Sequence, residues 1–547
     1  MKTLLRLSTP YLLTFCCAFG APALFAETYY VDPENGSSAN AGSEAEPWRT
    51  LQAILLTDKV FEEGDIILLK DGYHGFPVIQ ARHGSGVVVR PVEGAEPYVR
   101  NLQFTGAQSW TVEGLAISPE HSGVYTASRP LVEIDAESDG VVLADCDIFG
   151  ADTVQGWTSD QVKQRFGTGI LCYGTNTTLR GNQIRNTKYA IEVMSSATGM
   201  VCENNVASGI MGDGIRFLAS SGRYEGNMIR DFYGIDNHHD DGLQCWTNGP
   251  GGVGSGVVRN IVIRGNTIIN QTDPNNPFPD TYGVQGMGFF DGFYENWVIE
   301  NNIVATDMWH GITLLGAKNC HVVNNTVVEG PLGSLTMRPW IQIASHKDGR
   351  KSEKNVVSNN FATSYDNAPD IGVVENNFQT RDYEAHFVDY ANFDFHLQPT
   401  SGAVNYGTSG LAPEVDFEGD VRDALPDAGA DEIAADETDP IVSQFPRAAR
   451  VEEDVYRVSW MGEGDFNTST YPWILHELHG WWWIGAAREG SYWFYDLNLA
   501  WVFTNPQYPH LYYFMSEGSW FYFLPYTGMV GSGRWFYDYA KGEWRLS

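Results

Sequence analysis

Apolar and polar positions alternate in short runs down most of this chain, and the runs recur. Strand-like segments ending in Asn read Arg180-Gly-Asn182-Gln-Ile184, Glu203-Asn-Asn205-Val206, Glu225-Gly-Asn227-Met-Ile229 and Arg264-Gly-Asn266-Thr-Ile268. They continue as Glu300-Asn-Asn302-Ile303, Val323-Asn-Asn325-Thr-Val327, Ser358-Asn-Asn360-Phe361 and Glu375-Asn-Asn377-Phe378. The spacing is often 22 or 23 residues and longer elsewhere. A second run follows in many repeats: Tyr189-Ala-Ile-Glu-Val, Asp213-Gly-Ile-Arg-Phe, Asp241-Gly-Leu-Gln-Cys, Tyr282-Gly-Val-Gln-Gly and His310-Gly-Ile-Thr-Leu. Their period is two, so Ile191 and Val193 face inward and Glu192 outward. A unit of this size cannot bury its apolar face alone, so copies must stack. The pattern predicts an all-β chain built as a right-handed parallel β-helix, one coil per repeat. The recurrent Asn is expected to form an amide ladder inside the coil corners rather than a glycosylation site.

Four segments follow. Residues 1–26 read as a secretory signal: Lys2 and Arg6, then an apolar stretch from Leu12 to Phe19, with Ala26 before the cut. No later stretch is apolar enough to span a membrane. Residues 27–433 are the β-helix domain with an N-terminal cap, and its coils are expected from about 61 to 400. An acidic linker covers 434–450. Residues 451–547 hold 10 of the 17 Trp and repeat a hairpin-like unit, as in Trp493-Phe-Tyr-Asp and Trp535-Phe-Tyr-Asp. This small aromatic-rich β module uses its rings as a core, or presents them to carbohydrate or a surface.

The formal charge is −34, and loss of Lys2 and Arg6 makes it more negative. Such a surface repels nucleic acid and anionic membrane. It also repels a polyanion at long range, so an anionic substrate would need a local basic site. Five Cys remain after the signal (Cys146, Cys172, Cys202, Cys245 and Cys320), without metal-ligand spacing. They are expected as buried thiols, with room for one disulfide.

Stacking places equivalent residues in columns about 4.8 Å apart. Aligned on Ile191, Ile215, Leu243, Val284 and Ile312, the second runs give two outward columns. One is Tyr189, Asp213, Asp241, Tyr282 and His310. The other is Glu192, Arg216, Gln244, Gln285 and Thr313. The densest cluster is Tyr233-Gly-Ile-Asp236-Asn-His238-His239-Asp240-Asp241, where like charges crowd unless a metal, substrate or proton shares them.

Three chemistries use these groups. In β-elimination of a uronic-acid polysaccharide, Arg216, or a Ca²⁺ ion on Asp213, Asp240 or Asp241, neutralises the sugar carboxylate. His239, His310 or Lys188 is then the base and Tyr233 or Tyr282 the acid. In hydrolysis, Asp213 and Asp241 on adjacent coils lie roughly 5 Å apart, as a retaining pair requires, whereas an inverting mechanism needs a wider pair such as Asp213 with Asp240. C5 epimerisation begins with the same proton abstraction as elimination. Glu192, Gln244, Gln285, Tyr282, Trp309 and Trp246 are candidates for binding sugar, and Asp236 with Asp240 for holding calcium. A basic loop with His346, Lys347 and Arg350 is a weaker contact.

The opening Tyr29-Tyr-Val-Asp-Pro-Glu-Asn-Gly, with Pro47-Trp-Arg-Thr-Leu-Gln-Ala-Ile after it, resembles that of secreted β-helix carbohydrate-active enzymes. These are the pectate-lyase-like polysaccharide lyases with related glycoside hydrolases and mannuronan C5-epimerases. Val388-Asp-Tyr to Asp431-Glu432 resembles their closing segment. Asp240-Asp241 and His310-Gly311 are similar to motifs of polygalacturonase-like hydrolases. Tyr233-Gly-Ile-Asp236-Asn-His238 is similar to the Tyr-Gly-Phe-Asp-Pro-His motif of the epimerases, with Asn237 in place of Pro. The resemblance implies a secreted or periplasmic enzyme, monomeric, degrading a polysaccharide. A lyase on an acidic glycan is the leading expectation, with a hydrolase next and an epimerase third. A glycan-binding adhesin is the non-enzymatic alternative, and the Asp, His and Arg in the columns argue against it.

Overall fold

The computed structural model describes residues 26–433 apart from 236–238, 280–282, 334–336, 399–400 and 424. Beyond these it describes most of the strands of 449–546. The signal segment, nearly all of the linker, Asp236, His238 and Tyr282 lie outside the described residues. Among the described residues no helix is long and apolar enough to cross a membrane.

Three parallel sheets run the length of the main domain, with 13, 12 and 11 strands. We call them A, B and C in that order. Each coil visits A, B and C in turn, as in Thr178–Arg180, Gln183–Thr187 and Ile191–Val193. The stacking begins earlier than the sequence suggests. Thr28–Val31 pairs in parallel with Ile66–Leu69, so it belongs to the first coil of sheet A. The short helix Leu51–Leu55, capped by the Thr50 hydroxyl, turns Leu51 and Leu55 into that end of the core. The last coil strands are Gly372–Glu375 and Phe378–Gln379. An antiparallel hairpin, Phe387–Asp389 with Asp394–Leu397, follows them. The closing segment then docks on the corner asparagines. Arg422 donates to Asn301 Oδ1 at 3.0 Å and pairs with Glu432 at 2.9 Å.

The repeated Gly-Asn and Asn-Asn pairs have a conformational cause. Their first residue turns the corner from A to B with positive φ, as in Gly181 (64°), Asn204 (55°), Gly226 (64°) and Asn301 (56°). Gly and Asn tolerate this region best. Their second residue points inward, where each amide Nδ2 donates to the Oδ1 of the next coil. The chain of such bonds runs from Asn182 through Asn205, Asn227, Asn266, Asn302, Asn325 and Asn360 to Asn377 at 2.9–3.0 Å. Asn266 also donates to the Tyr224 carbonyl and accepts the Asn227 backbone N–H. Asn266→Ala strands several buried partners at once. It is expected to cost about 2–4 kcal/mol, read as a lower urea midpoint at unchanged slope.

Apolar side chains from all three sheets fill the coil interior as one core. The five cysteines lie within it as free, buried thiols, so the disulfide allowed by the sequence does not form. The C-terminal module is a separate antiparallel sheet of 11 strands with its own aromatic core.

Candidate active site

The outer face of sheet C carries the candidate chemistry. Inward Ile215 and Phe217 leave Arg216 outward, and the same parity puts Glu192 and Gln244 outward. The register pairs Glu192 with Arg216, Arg216 with Gln244, Gln244 with Gly288, and Gly288 with Thr313. The column expected from the sequence therefore holds up to Gln244 and then changes. Met287, not Val284, is the partner of Leu243 and Ile312. Gln285 consequently faces Asp241, and Gly288 takes the place assigned to it beside Gln244. The cause lies in Gln285-Gly-Met-Gly-Phe, where glycines at 286 and 288 blank the alternation that would fix the register.

Arg216 organises the wall. Its Nε lies 3.0 Å from Asp213 Oδ2 and its Nη1 3.2 Å from Glu192 Oε1. Its guanidinium carbon sits 4.2 Å from the Tyr189 ring centre and 4.6 Å from that of Trp246. Lys188 Nζ lies 4.9 Å from the same Tyr189 ring. Glu192 also accepts the Thr168 hydroxyl at 2.6 Å. Two carboxylates and two aromatic faces thus surround one cation, and its charge is more than balanced.

Asp213 and Asp241 meet on adjacent coils, but not on the outward column assigned to them. Two residues before inward Ile215 and Leu243 they share the inward parity, and both side chains are buried. Asp213 Oδ1 accepts the Asp241 backbone N–H at 2.9 Å. Asp241 Oδ2 accepts Gln244 Nε2 at 2.7 Å, and Oδ1 has no hydrogen-bond partner among the described residues. A Cβ on residue 288 would collide with that Oδ1, so Gly288 leaves the space it occupies. Burial raises the Asp241 carboxyl well above its ordinary range, and the charges of Asp213 and Asp240 push the same way against Gln244 and Arg216. Burial thus favours the protonated form at Asp241, while Asp213 beside it is ion-paired with Arg216. A cleft of about 250 Å³ is lined by Gln244, the partner of Asp241, together with Arg216, Trp246, Gly288, Phe290 and Asp291; Asp241 itself is not part of the lining.

His310 stands two coils beyond Asp241. Burial, with the neighbouring charge of His239, lowers its pKa to about 4, so its imidazole is neutral at physiological pH. Its Nδ1 is 3.1 Å from Thr313 Oγ1. Its ring makes edge contacts with Phe290 and Trp340 at 4.7 and 5.2 Å. Trp309, 46 % exposed, lies nearly parallel to Trp340 with centres 6.3 Å apart. His239 is exposed and Asp240 buried. Tyr233 does not join this wall. Its phenol, raised by burial, donates to Asn186 Oδ1 at 2.7 Å and belongs to a separate cleft with Arg185 and Asp231. The chain after Phe232 carries it into an apolar cluster with Val154, Phe166 and Met211.

The calcium expectation names Asp236, outside the described residues, together with Asp240. Among the described residues no three His, Cys, Asp or Glu side chains are grouped to hold a metal. The basic loop packs at the cleft rim. Lys347 pairs with Asp291 at 2.5 Å, and Arg350 lies over Phe293 and pairs with Asp348. Sequence reading missed Gly288, Phe290 and Trp340. An interior-strand glycine was the available signal for the first, since it often marks a close approach.

Residues 168–378 match the family model described as a right handed beta helix region. No curated protein matches the chain. Among solved structures, XylC in complex with xylose is 9 % identical, with 74 % of this chain and 98 % of that one covered and a TM-score of 0.46. A rhamnogalacturonan lyase is 12 % identical over 73 % and 96 % of the two chains, with a TM-score of 0.37. The A-module of a mannuronan C-5 epimerase from Azotobacter vinelandii is 12 % identical over 61 % and 89 %, with a TM-score of 0.39. The three-sheet stack and the family match together identify the main domain as a right-handed parallel β-helix.

Proposed function

We propose that the protein is a secreted glycoside hydrolase acting on a polysaccharide through carboxyl groups of neighbouring coils of sheet C. The observation that carries this reading is the split between neighbouring acids. Burial pushes the Asp241 carboxyl toward its protonated form, whereas Glu192 and Asp213 are paired with a guanidinium. A carboxyl raised by burial beside ion-paired carboxylates is suited to the role of proton donor. Asp241 is the proton donor of this reading; it is 1 % exposed, so donation to the glycosidic oxygen requires Gln244, which now bonds its carboxyl, to move aside. Glu192, whose side chain is 18 % exposed against 0 % for Asp213, is the carboxylate that meets water. Asp213 is a positioning residue that holds the Asp241 backbone and keeps its proton on. Because Arg216 has no uncompensated charge, the wall suits a neutral sugar better than a uronate.

Purified mature protein incubated with xylan, cellulose, pectate and alginate tests this. New reducing ends without an unsaturated product are expected. Asp213→Asn should shift the alkaline limb of the rate profile to lower pH, because removing that charge lowers the Asp241 pKa. An unmoved limb would show that Asp213 does not act on Asp241.

One observation favours a second reading. His310 is unprotonated at physiological pH and can accept a proton, which β-elimination of a uronic-acid polysaccharide requires, although a pKa of about 4 makes it a weak base. Unsaturated uronate released from alginate or pectate, lost on chelation and restored by Ca²⁺, would favour that lyase.

A further inference from the structure

The C-terminal module has two aromatic faces, and only one is needed as a core. Alternate residues of its strands, among them Ile474, Trp482, Phe494, Val502, Tyr512 and Phe521, are buried against one another. The intervening positions point the other way. From Trp473–His476 to Glu543–Leu546, none of these outward positions is Asp, Glu, Lys or Arg. The register lines their rings up across strands. Trp473 pairs with Trp483, Trp483 with Tyr495, and Tyr495 with Trp501. A second row runs Trp493, Phe503, Tyr513 and Trp520. Neighbouring rings meet edge to face, as Tyr495 does with Trp501 at 5.5 Å and Phe503 with Trp520 at 6.0 Å. Substantial ring area stays open: Trp481 is 43 %, Trp520 39 % and Trp544 46 % exposed.

A contiguous exposed apolar surface of this kind marks an interaction site. Its chemistry selects the occupant. The outward aromatics are mostly Trp and Tyr, flat apolar faces each carrying one polar N–H or O–H, which suits the C–H faces and hydroxyl rims of sugars. The rows repeat at the strand spacing of about 4.8 Å, close to the length of one pyranose ring in an extended chain. An anionic lipid surface would call for basic residues beside the rings. Acids instead outnumber bases over 449–547. Among the described strand positions of the face a charged glycan would find no counter-charge.

We infer that this face binds an extended, neutral polysaccharide chain. The inference rests on the reading of the protein as a glycan-acting enzyme, and its test reads binding rather than turnover. The full-length Asp241→Asn variant is mixed with insoluble cellulose, insoluble xylan and curdlan, and depletion from the supernatant is measured. Tight binding to at least one of them is expected, retained at about 1 M salt, where charge attraction is screened. The Trp481→Ala, Trp520→Ala, Trp544→Ala triple variant should bind about tenfold more weakly or worse. The same three positions changed to Phe should keep most of the binding, which separates ring loss from a folding defect. Hydrolysis of a soluble oligosaccharide by the otherwise wild-type triple variant should be unchanged. Equal binding by the Ala triple, or no binding to any of the three solids, overturns the inference. Sedimentation with phosphatidylserine vesicles, or self-association abolished by the same substitutions, overturns it in favour of a membrane or a second copy. If binding fails while cleavage persists, only this inference falls; if binding holds and no glycan is cleaved, the enzymatic reading falls.

Discussion

Asp241→Asn is expected to lower kcat by roughly 10²–10⁴-fold with little change in KM, the range lost when a positioned general acid is removed. Asn keeps the shape and the acceptor for Gln244 Nε2, which now lies 2.7 Å from Oδ2. It removes only the proton. Stability should move the other way. An acid whose pKa is raised by folding binds its proton more tightly in the folded state, so stability falls as pH rises from the ordinary carboxylate range through the folded pKa. The amide carries no such penalty, so the variant should melt at or above the wild-type temperature at alkaline pH. A variant that is both inactive and markedly less stable would indicate a structural role for Asp241.

The second large effect is expected from a methyl group. Gly288 faces Gln244 in the register, and a Cβ there would strike Asp241 Oδ1. Backbone φ is not the constraint, since residue 288 does not take positive φ. Gly288→Ala should therefore fold and move the Asp241 carboxyl. A displacement of about 1 Å costs on the order of 10²-fold in rate. The loss should appear in kcat for every substrate, because the acid itself is misplaced. A rise in KM alone would mean that residue 288 only shapes the cleft.

Much of the architecture was legible because each coil repeats the same local demand. A corner that needs positive φ and an inward amide selects Gly-Asn or Asn-Asn, and that pair shows directly in the sequence at Gly226-Asn227 or Asn324-Asn325. The Asp213–Asp241 meeting was legible for the same reason: their coils are regular, and Ile215 pairs with Leu243. Where regularity fails, so does the reading. The excursion before Gln285 and the glycines after it erased the alternation, so the register of that strand moved by three residues between expectation and structure. Tyr233 lay close in sequence to His239 and Asp241, but sequence proximity did not survive the turn after Phe232. Trp340 stacks beside Trp309 only because His310 and Trp340 fall on neighbouring coils, a pairing with a register shift that no local pattern announces. The aromatic tail was ambiguous between core and binding surface, and its alternating faces explain why, since both carry rings.

The central claim is that Asp241 holds a proton at neutral pH inside a wall built from successive coils. It can be measured without knowing the glycan. The infrared difference spectrum of wild type minus Asp241→Asn at pH 7 should contain the carbonyl band of a protonated carboxylic acid. That band should persist well above pH 4, where an ordinary Asp has already ionised. Buried acids elsewhere, such as Asp431 with its pKa of about 7, cancel in the subtraction. A difference spectrum showing only carboxylate bands at pH 7 would contradict the account.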